Sequence, residues 1–265
     1  NAPSYVAFFK APKGQSYFDL YYGLPLPSAE ELSANPQVDV LCEHGLTLHD
    51  LEWNQKQRLH DRVPKSLLSQ LGQKQILVGQ YHFAVPPDSY HVAFYVRQPA
   101  TQRLGAWKDA IRVPSFSEDR LEMSSIVLAS SVTPAEGNDP LAKNGLRITP
   151  NPTKYFSRSQ PVYLYFEIYN LQPDAEGTSS FLIEYTTLLR KAKKTGAKKV
   201  FGLFGSKAKP ATTLVAERQA QGRTSAEYLA LDLSRAGKGE FRLSITVKDK
   251  HSGLQSEGFI DFALF

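Results

Sequence analysis

The residues that most clearly could do chemistry form a basic segment between Arg190 and Lys209. It holds eight basic residues and no acidic one. Lysines concentrate positive charge without the bidentate geometry of arginine, so they favour a diffuse anionic surface over a single phosphate. The lysines and neighbouring aromatic residues that would contact such a surface are Lys191, Lys193, Lys194, Lys198, Lys199, Phe201 and Phe204. One candidate role of the segment is therefore binding to an anionic polysaccharide or lipid surface.

Two other interpretations of this basic segment are open. It can be a solvated loop between edge strands, where lysines discourage pairing with other sheets, and for the segment taken alone we favour this interpretation. Nucleic acid binding through phosphate neutralisation is disfavoured, because recognisable aromatic stacking platforms are missing. The run from Gly202 to Lys207 lacks the spacing of a phosphate loop, which disfavours nucleotide binding.

A second candidate surface lies on the strand predicted for residues 162–170. Its even positions from Val162 to Ile168 are apolar and predict a core face, because successive side chains of a strand point to opposite sides. The other face carries Tyr163, Tyr165 and Tyr169 with Glu167. Aromatic rings beside a carboxylate suit carbohydrate stacking, and they equally suit packing between domains, with hydroxyl groups bonded at the rim. Packing is the interpretation we favour, and the three tyrosines stay candidates for binding.

Catalytic and metal-binding patterns are weak throughout the sequence. Cys42, Glu43, His44, His49 and Asp50 contain metal-ligating types, but no Cys-x-x-Cys or His-x-x-x-His spacing supports a metal site. No Gly-x-Ser-x-Gly elbow is present, which disfavours a serine nucleophile of the hydrolase type. We therefore predict a non-enzymatic protein with no cofactor, no metal and no catalytic residue.

The elements that must position these residues are strands. Alternating runs recur about every 10–15 residues with turn residues between them, a pattern typical of antiparallel sandwiches. We predict an all-β protein of two tandem immunoglobulin/fibronectin-like antiparallel β-sandwich domains. The N-terminal domain covers residues 1–116, and the C-terminal domain covers 117–265 with a basic hairpin insertion near 190–209.

Several local features are predicted with this architecture. A hairpin over 37–62 would turn near Gly45, residues 65–73 would make one or two helical turns, and 25–36 would be a connection. The strands at 90–97 and 241–248 match in alternation and in their closing basic residue, so each half is expected to end in the same kind of hairpin.

Composition limits the possible classes of protein. The chain has 265 residues, of which 42% are hydrophobic, enough for sizeable cores. No run of about 18 apolar residues occurs, so no transmembrane segment is predicted. The net charge of +5 belongs to the basic segment alone, because the rest of the chain holds 23 basic and 26 acidic residues. It is therefore no general sign of a polyanionic partner. The single cysteine, Cys42, does not fix the redox compartment.

Residues 144–171, which run from Asn-Gly-Leu-Arg-Ile-Thr-Pro-Asn-Pro to Tyr-Phe-Glu-Ile-Tyr-Asn-Leu, resemble the β-rich regions of bacterial proteins named for a GWxTD motif. Residues 121–129 are similar to the segment that enters the second β-region of those proteins. The strong match is confined to about 121–171, and the naming motif is absent. The nearest run, Gly105-Ala106-Trp107-Lys108-Asp109, has the wrong spacing and is predicted to lie in a hairpin turn.

This resemblance implies an exported protein with tandem β-domains, and it supplies no catalytic residue. We expect a periplasmic or extracellular location in a bacterium, with an export signal outside this sequence. The leading hypothesis for function is an interaction or scaffold module of the cell envelope with protein partners. The alternative is a module that binds carbohydrate or an anionic surface through the basic hairpin and the tyrosine-rich face.

Overall fold

A computed structural model describes residues 2–71, 76–192 and 210–265 of the chain. It consists of 61% strand and 6% helix, so the predicted all-β class is confirmed. The chain divides into two compact units, Asn1–Phe116 and Ser117–Phe265. Among the described residues, no helix has the length and apolar character needed to cross a membrane.

The first unit builds two antiparallel sheets, ordered β1-β2-β5 and β4-β3-β6-β7. The strands are β1 (Ser4–Lys10), β2 (Ser16–Pro25), β3 (Val40–His49), β4 (Gln55–Pro64), β5 (Ile76–Val85), β6 (Ser89–Gln98) and β7 (Arg103–Arg112). Short helices lie between them at α1 (Ala29–Ser33) and α2 (Leu68–Leu71), with 3₁₀ turns at Pro12–Gly14 and Lys65–Leu67.

One apolar core joins these two sheets. Phe18 and Leu20 of β2 enter it from the first sheet, and Leu46 of β3 and Phe94 of β6 enter it from the second. All four side chains are at most 1% exposed. Because side chains alternate along a strand, the residues directly before and after Leu46 and Phe94 in the chain point to the outer face of the four-stranded sheet. This outer face carries the candidate site described below.

The second unit has the same two-sheet plan with more strands. Its strands are β8 (Glu122–Met123), β9 (Val127–Pro134), β10 (Ala142–Lys143), β11 (Leu146–Pro150), β12 (Tyr155–Phe156), β13 (Val162–Tyr169), β14 (Thr178–Ala192), β15 (Pro210–Gln221), β16 (Thr224–Leu231), β17 (Gly239–Asp249) and β18 (Gln255–Leu264). The sheets are ordered β10-β11-β9-β13-β16, with β8 also paired to β13, and β12-β18-β17-β14-β15.

Strand β13 supplies the middle of this second core. Val162, Leu164, Phe166 and Ile168 are all 0% exposed and pack with apolar residues of β14 and β17. The predicted core face of the tyrosine-rich strand is therefore confirmed. The predicted pair of terminal hairpins is confirmed too, since β6–β7 ends the first unit and β17–β18 the second. The immunoglobulin- or fibronectin-like topology stays a prediction.

Some local predictions were wrong. The chain does not turn at Gly45, because β3 runs unbroken from Val40 to His49 and the turn follows at 50–54. An alanine Cβ at Gly45 would lie 2.6 Å from Cε1 of Tyr95 and 2.9 Å from the carbonyl oxygen of Leu59. Glycine is therefore required at this position by close packing, and not by a turn.

The structure of three other segments differs from the sequence prediction. The 25–36 connection contains α1, which Ser28 and Glu31 begin with a capping box. The strand β15 was not predicted. Residues 105–109 lie inside β7 and not in a turn, and the indole N–H of Trp107 donates to the Ser4 hydroxyl at 2.7 Å. The helical turns predicted from residue 65 are confirmed over 65–71.

Candidate binding surface on the first unit

The turn between β3 and β4 holds an exposed tryptophan in a fixed position. Trp53 has a φ of 65°, a left-handed conformation that is uncommon for a bulky residue. Its backbone N–H donates to the carbonyl of Asp50 at 3.1 Å. The Asp50 carboxylate accepts from the backbone N–H and the side-chain amide of Asn54 at 2.8 and 2.9 Å, and it pairs with Lys56 at 2.8 Å. Such aspartate-to-backbone bonds stabilise tight turns.

The bonds to the Asp50 carboxylate also change its acidity. Hydrogen bonds from Lys56 and then from Asn54 lower the pKa of Asp50 to about 2, against an ordinary value of 3.8. The group is therefore fully ionised at neutral pH. An ionised carboxylate that holds both Asn54 and Lys56 keeps the turn in one conformation.

The indole of Trp53 stacks on His91 of β6. The ring centroids are 4.1 Å apart and the planes differ by 7°. His49 of β3 lies beside the pair, 6.1 Å from the indole. Trp53 nevertheless remains 65% exposed. A large apolar side chain that is both exposed and held in place is a common feature of recognition surfaces.

A hollow of about 350 Å³ opens beside this ring stack. This volume lies within the usual range for ligand pockets. Its floor is formed by small residues, Thr47, Ala93 and Ala110, and its wall by the Trp53–His91 stack. The rest of the lining consists of Lys108 and Asp109 of β7 with His49 and Val92. The hollow thus combines an aromatic wall, a low floor and polar groups at its edge.

Strand register explains why these distant residues meet. His49 is paired with His91, and Ala110 follows on the next strand. The adjacent row across the sheet is Arg58, Thr47, Ala93 and Lys108. The row beyond contains Gly45 with Tyr95 on the next strand, and the Tyr95 ring lies against Gly45. The candidate surface is defined here as Thr47, His49, Trp53, Arg58, His91, Ala93, Tyr95, Lys108 and Ala110.

Two other hollows occur in the second unit. One of about 580 Å³ is lined by loop residues around Glu136 and Asp139, and Arg147 is already paired with Asp139 at 2.5 Å. One of about 200 Å³ lies between Lys154, Arg190 and Asp261, and Arg190 is paired with Asp261 at 2.9 Å. In both hollows a charged group is already used internally. The smaller hollow is lined by Phe241 and Phe262, whose rings stack with centroids 5.6 Å apart, but both side chains are buried, at 1% and 4% exposure, and present no open ring like that of Trp53.

The tyrosine-rich face of β13 forms an internal hydrogen-bond cluster. Tyr165 and Tyr169 are 0% and 3% exposed, and each donates its hydroxyl to the Glu167 carboxylate at 2.7 Å. The side-chain amide of Asn144 donates to Tyr165 and Glu167 at 2.7 and 2.9 Å. Rings buried in this way offer no open stacking surface, and packing of this face between domains stays a prediction. Tyr163 is half-buried, and a binding role for it stays a prediction.

Most of the predicted basic site cannot be placed. Lys191 belongs to β14. Lys193, Lys194, Lys198, Lys199, Phe201 and Phe204 lie outside the described residues. Binding of an anionic surface by these residues stays a prediction.

The metal-ligating residue types between Cys42 and Asp50 do not lie together in the structure. The Cys42 thiol is buried and contacts the carbonyl of Pro25 at 3.3 Å, and Nδ1 of His44 forms a 2.6 Å hydrogen bond with the Tyr81 hydroxyl inside the core. His49 lies on the opposite face of the sheet, beside Trp53. Within the described ranges, no group of three His, Cys, Asp or Glu side chains is arranged to hold a metal ion.

Sequence reasoning missed the Trp53 surface. The local signal was a tryptophan between the polar residues Glu52, Asn54 and Gln55. No alternation of apolar residues accounts for an aromatic side chain at this position. His91, Lys108 and Arg58 carry no local signal, since only the pairing of four strands brings them to the same face.

Comparisons with known proteins give little beyond the architecture. No protein-family model and no curated protein matches the chain. Among solved structures, it is similar to a calcium-binding mutant of Bacteroides uniformis β-glucuronidase 2, with 9% identity and a TM-score of 0.29 over 93% of this chain. The same enzyme covalently bound to cyclophellitol-6-carboxylate aziridine gives 8% identity and a TM-score of 0.29 over 94% of this chain. The chain spans only 26% of the length of each of these proteins. A likeness this low carries no argument about activity.

Proposed function

We propose that the protein is a non-enzymatic interaction module of a bacterial cell envelope, and that its first unit holds a polysaccharide chain on the candidate surface around Trp53. The observation that supports this most directly is the stacked, 65% exposed indole beside a hollow of about 350 Å³. A sugar ring has a face of C–H groups and a rim of hydroxyls. The C–H face can lie against an aromatic ring, and the hydroxyls can bond to polar groups around it.

The polar groups that would meet those hydroxyls are already positioned. Thr47 and His49 lie in the floor and wall of the hollow, and Lys108 lies at its edge. The small side chains of Ala93 and Ala110 leave room for a ring between them and the indole. Because the turn is held by Asp50, little conformational entropy is lost when a ligand contacts Trp53.

The envelope location is supported by the resemblance of residues 121–171 to the β-regions of GWxTD-motif proteins. An exported protein of this kind meets polysaccharides outside the cytoplasm. Protein partners, also expected from the sequence, stay a prediction.

The test is affinity electrophoresis in native gels that contain dextran, xylan or alginate. At least one polysaccharide should retard the wild-type protein, and Trp53→Ala should remove most of that retardation. Trp53→Phe should keep part of it, because an aromatic ring remains. Tyr228→Ala is the matched control, since Tyr228 is an aromatic residue of the second unit with 52% exposure.

The proposal is wrong if none of the three polysaccharides retards the wild-type protein. It is also wrong if Trp53→Ala, with an unchanged far-UV circular dichroism spectrum, is retarded as strongly as the wild type. The same gels should be run with Lys193, Lys194, Lys198 and Lys199 replaced by glutamine, so that the charge of the basic segment does not mask the effect.

A further inference from the structure

We infer that the candidate surface selects acidic polysaccharides, in particular chains of sugars that carry carboxylates. This inference rests on the proposed function and adds the class of ligand. It comes from the row next to the aromatic stack, where Arg58 and Lys108 stand at the two ends and Thr47 and Ala93 lie between them. With neighbouring strands about 4.8 Å apart, the two basic residues are separated by about 14 Å at the backbone.

Arg58 and Lys108 differ from four other cations of the same unit, Lys56, Arg62, Arg97 and Arg103, whose charges are paired with carboxylates. Lys56 is paired with Asp50 at 2.8 Å, and Arg62 and Arg97 share the Glu43 carboxylate at 3.6 and 3.4 Å. Arg103 is paired with Glu31 at 3.0 Å. In the described part of the chain, neither Arg58 nor Lys108 has a carboxylate within ion-pair distance, and both are exposed.

One acidic residue also borders the hollow. Asp109 belongs to the lining, but its position pairs with Val92, whose side chain points into the core. Its carboxylate accepts the backbone N–H of Ala110 at 2.8 Å. The row that faces the ligand therefore presents two positive charges, and the nearby negative charge is turned towards the backbone.

The aromatic and basic parts suit different groups of the same ligand. The indole and the alanine floor accept the C–H face of a sugar ring, and the two cations accept carboxylates that project from neighbouring rings. Arginine can bind a carboxylate through two parallel hydrogen bonds, and lysine acts as a point charge. A spacing of about 14 Å between strand positions requires an extended chain with repeated charges, and not a single acidic sugar.

The experiment measures retardation by alginate, a polyuronate, against dextran, which is neutral, and poly-glutamate, which is a peptide polyanion. Arg58→Gln and Lys108→Gln should each weaken alginate binding about two- to fivefold, the range expected for one exposed ion pair. The double variant should lose the preference for alginate over dextran.

The matched control is Lys248→Gln, which replaces an exposed strand lysine of the second unit. It should leave retardation by alginate unchanged. Raising the salt from 0.1 M to 1 M should weaken binding by the wild type more than by the double variant.

The outcomes separate the two proposals. If Trp53→Ala abolishes binding and the double variant binds alginate like the wild type, the charge inference is wrong and the polysaccharide function stands. If Trp53→Ala has no effect in any gel, the function itself is wrong. If poly-glutamate retards the protein as strongly as alginate, charge alone governs binding and the assignment to a sugar polymer is overturned.

Discussion

The indole ring of Trp53 lies parallel to the imidazole ring of His91, with 4.1 Å between their centroids. The two residues belong to a turn and to a central strand that are 38 positions apart in the chain. Their contact fixes the tip of the β3–β4 hairpin to the outer face of the sheet. Asp50 holds the same turn through its hydrogen bonds with Trp53 and Asn54, so both the ring stack and the turn bonds position the indole.

The first prediction concerns Asp50 as a positioning residue. Asp50→Ala removes the carboxylate that holds Asn54 and Lys56, so Trp53 should move more freely and bind ligand more weakly. Time-resolved fluorescence anisotropy in a Trp107→Phe background would detect the motion as a larger fast component. Glu52→Ala, in the same turn, is the control and should leave the decay unchanged.

The same carboxylate gives this first prediction a pH dependence. Its pKa is lowered to about 2 from an ordinary 3.8, so its stabilising effect is complete above pH 4 and is lost as the pH falls through about 2. The anisotropy of Trp53 should therefore be constant down to about pH 3. A fast component that is already large at pH 5, or an Asp50→Ala decay identical to the wild type, would contradict the role of Asp50.

The second prediction concerns Gly45 beneath the Tyr95 ring. Gly45→Ala places a methyl group 2.6 Å from the ring and 2.9 Å from the carbonyl oxygen of Leu59, and this backbone oxygen cannot move away easily. We expect a loss of about 1–3 kcal/mol in the free energy of unfolding, as for other overpacked sites. Urea unfolding followed by tryptophan fluorescence measures it.

Gly237→Ala is the matched control for this second prediction, because an added Cβ there meets no atom within 4 Å. Its unfolding midpoint should stay close to the wild-type value when followed by far-UV circular dichroism. Equal stability of Gly45→Ala and the wild type would mean that β3 and β4 separate more easily than their close contact indicates.

The sequence was sufficient to predict those strands in which one face is buried. In β13, each apolar residue from Val162 to Ile168 faces the core, and the period of two could be read directly. The edge strand β15 was missed because its residues 213–221 are mostly exposed on both faces, so they show no alternation to detect. Gly45 was misread because a glycine between strand-like runs usually marks a turn, whereas here it makes room for a ring.

The candidate surface could not be predicted for a different reason. Arg58, His91 and Lys108 lie on three different strands, and their proximity depends on the pairing register. A single sequence contains no direct information on register between strands far apart in the chain. Trp53 alone was visible, as a tryptophan in a polar turn, and its orientation depends on Asp50 and His91.

A third prediction concerns the reactivity of Cys42. The side chain is 0% exposed, and burial raises the pKa of its thiol to about 11. Since the thiolate is the reactive form, the native protein should react very slowly with Ellman's reagent at pH 8. In 6 M urea one thiol per chain should react at the rate of a free cysteine. Rapid reaction of the native protein, with unchanged circular dichroism, would show that this part of the core opens readily.

The last prediction concerns His44, which is 3% exposed and packed between aromatic rings of the core. Burial lowers its pKa below the usual 6.5, and the nearby Asp61 carboxylate partly opposes this effect. The unfolded chain therefore takes up a proton near pH 6.5 that the folded chain does not, so stability is complete above pH 6.5 and decreases as the pH falls below it. For one proton, the free energy of unfolding changes by at most about 1.4 kcal/mol per pH unit.

Urea unfolding between pH 7.5 and 5 measures this dependence. The free energy of unfolding should fall with pH in the wild type and in the control His251→Gln, and it should change much less in His44→Leu. An unchanged slope in His44→Leu would assign the pH dependence to other groups.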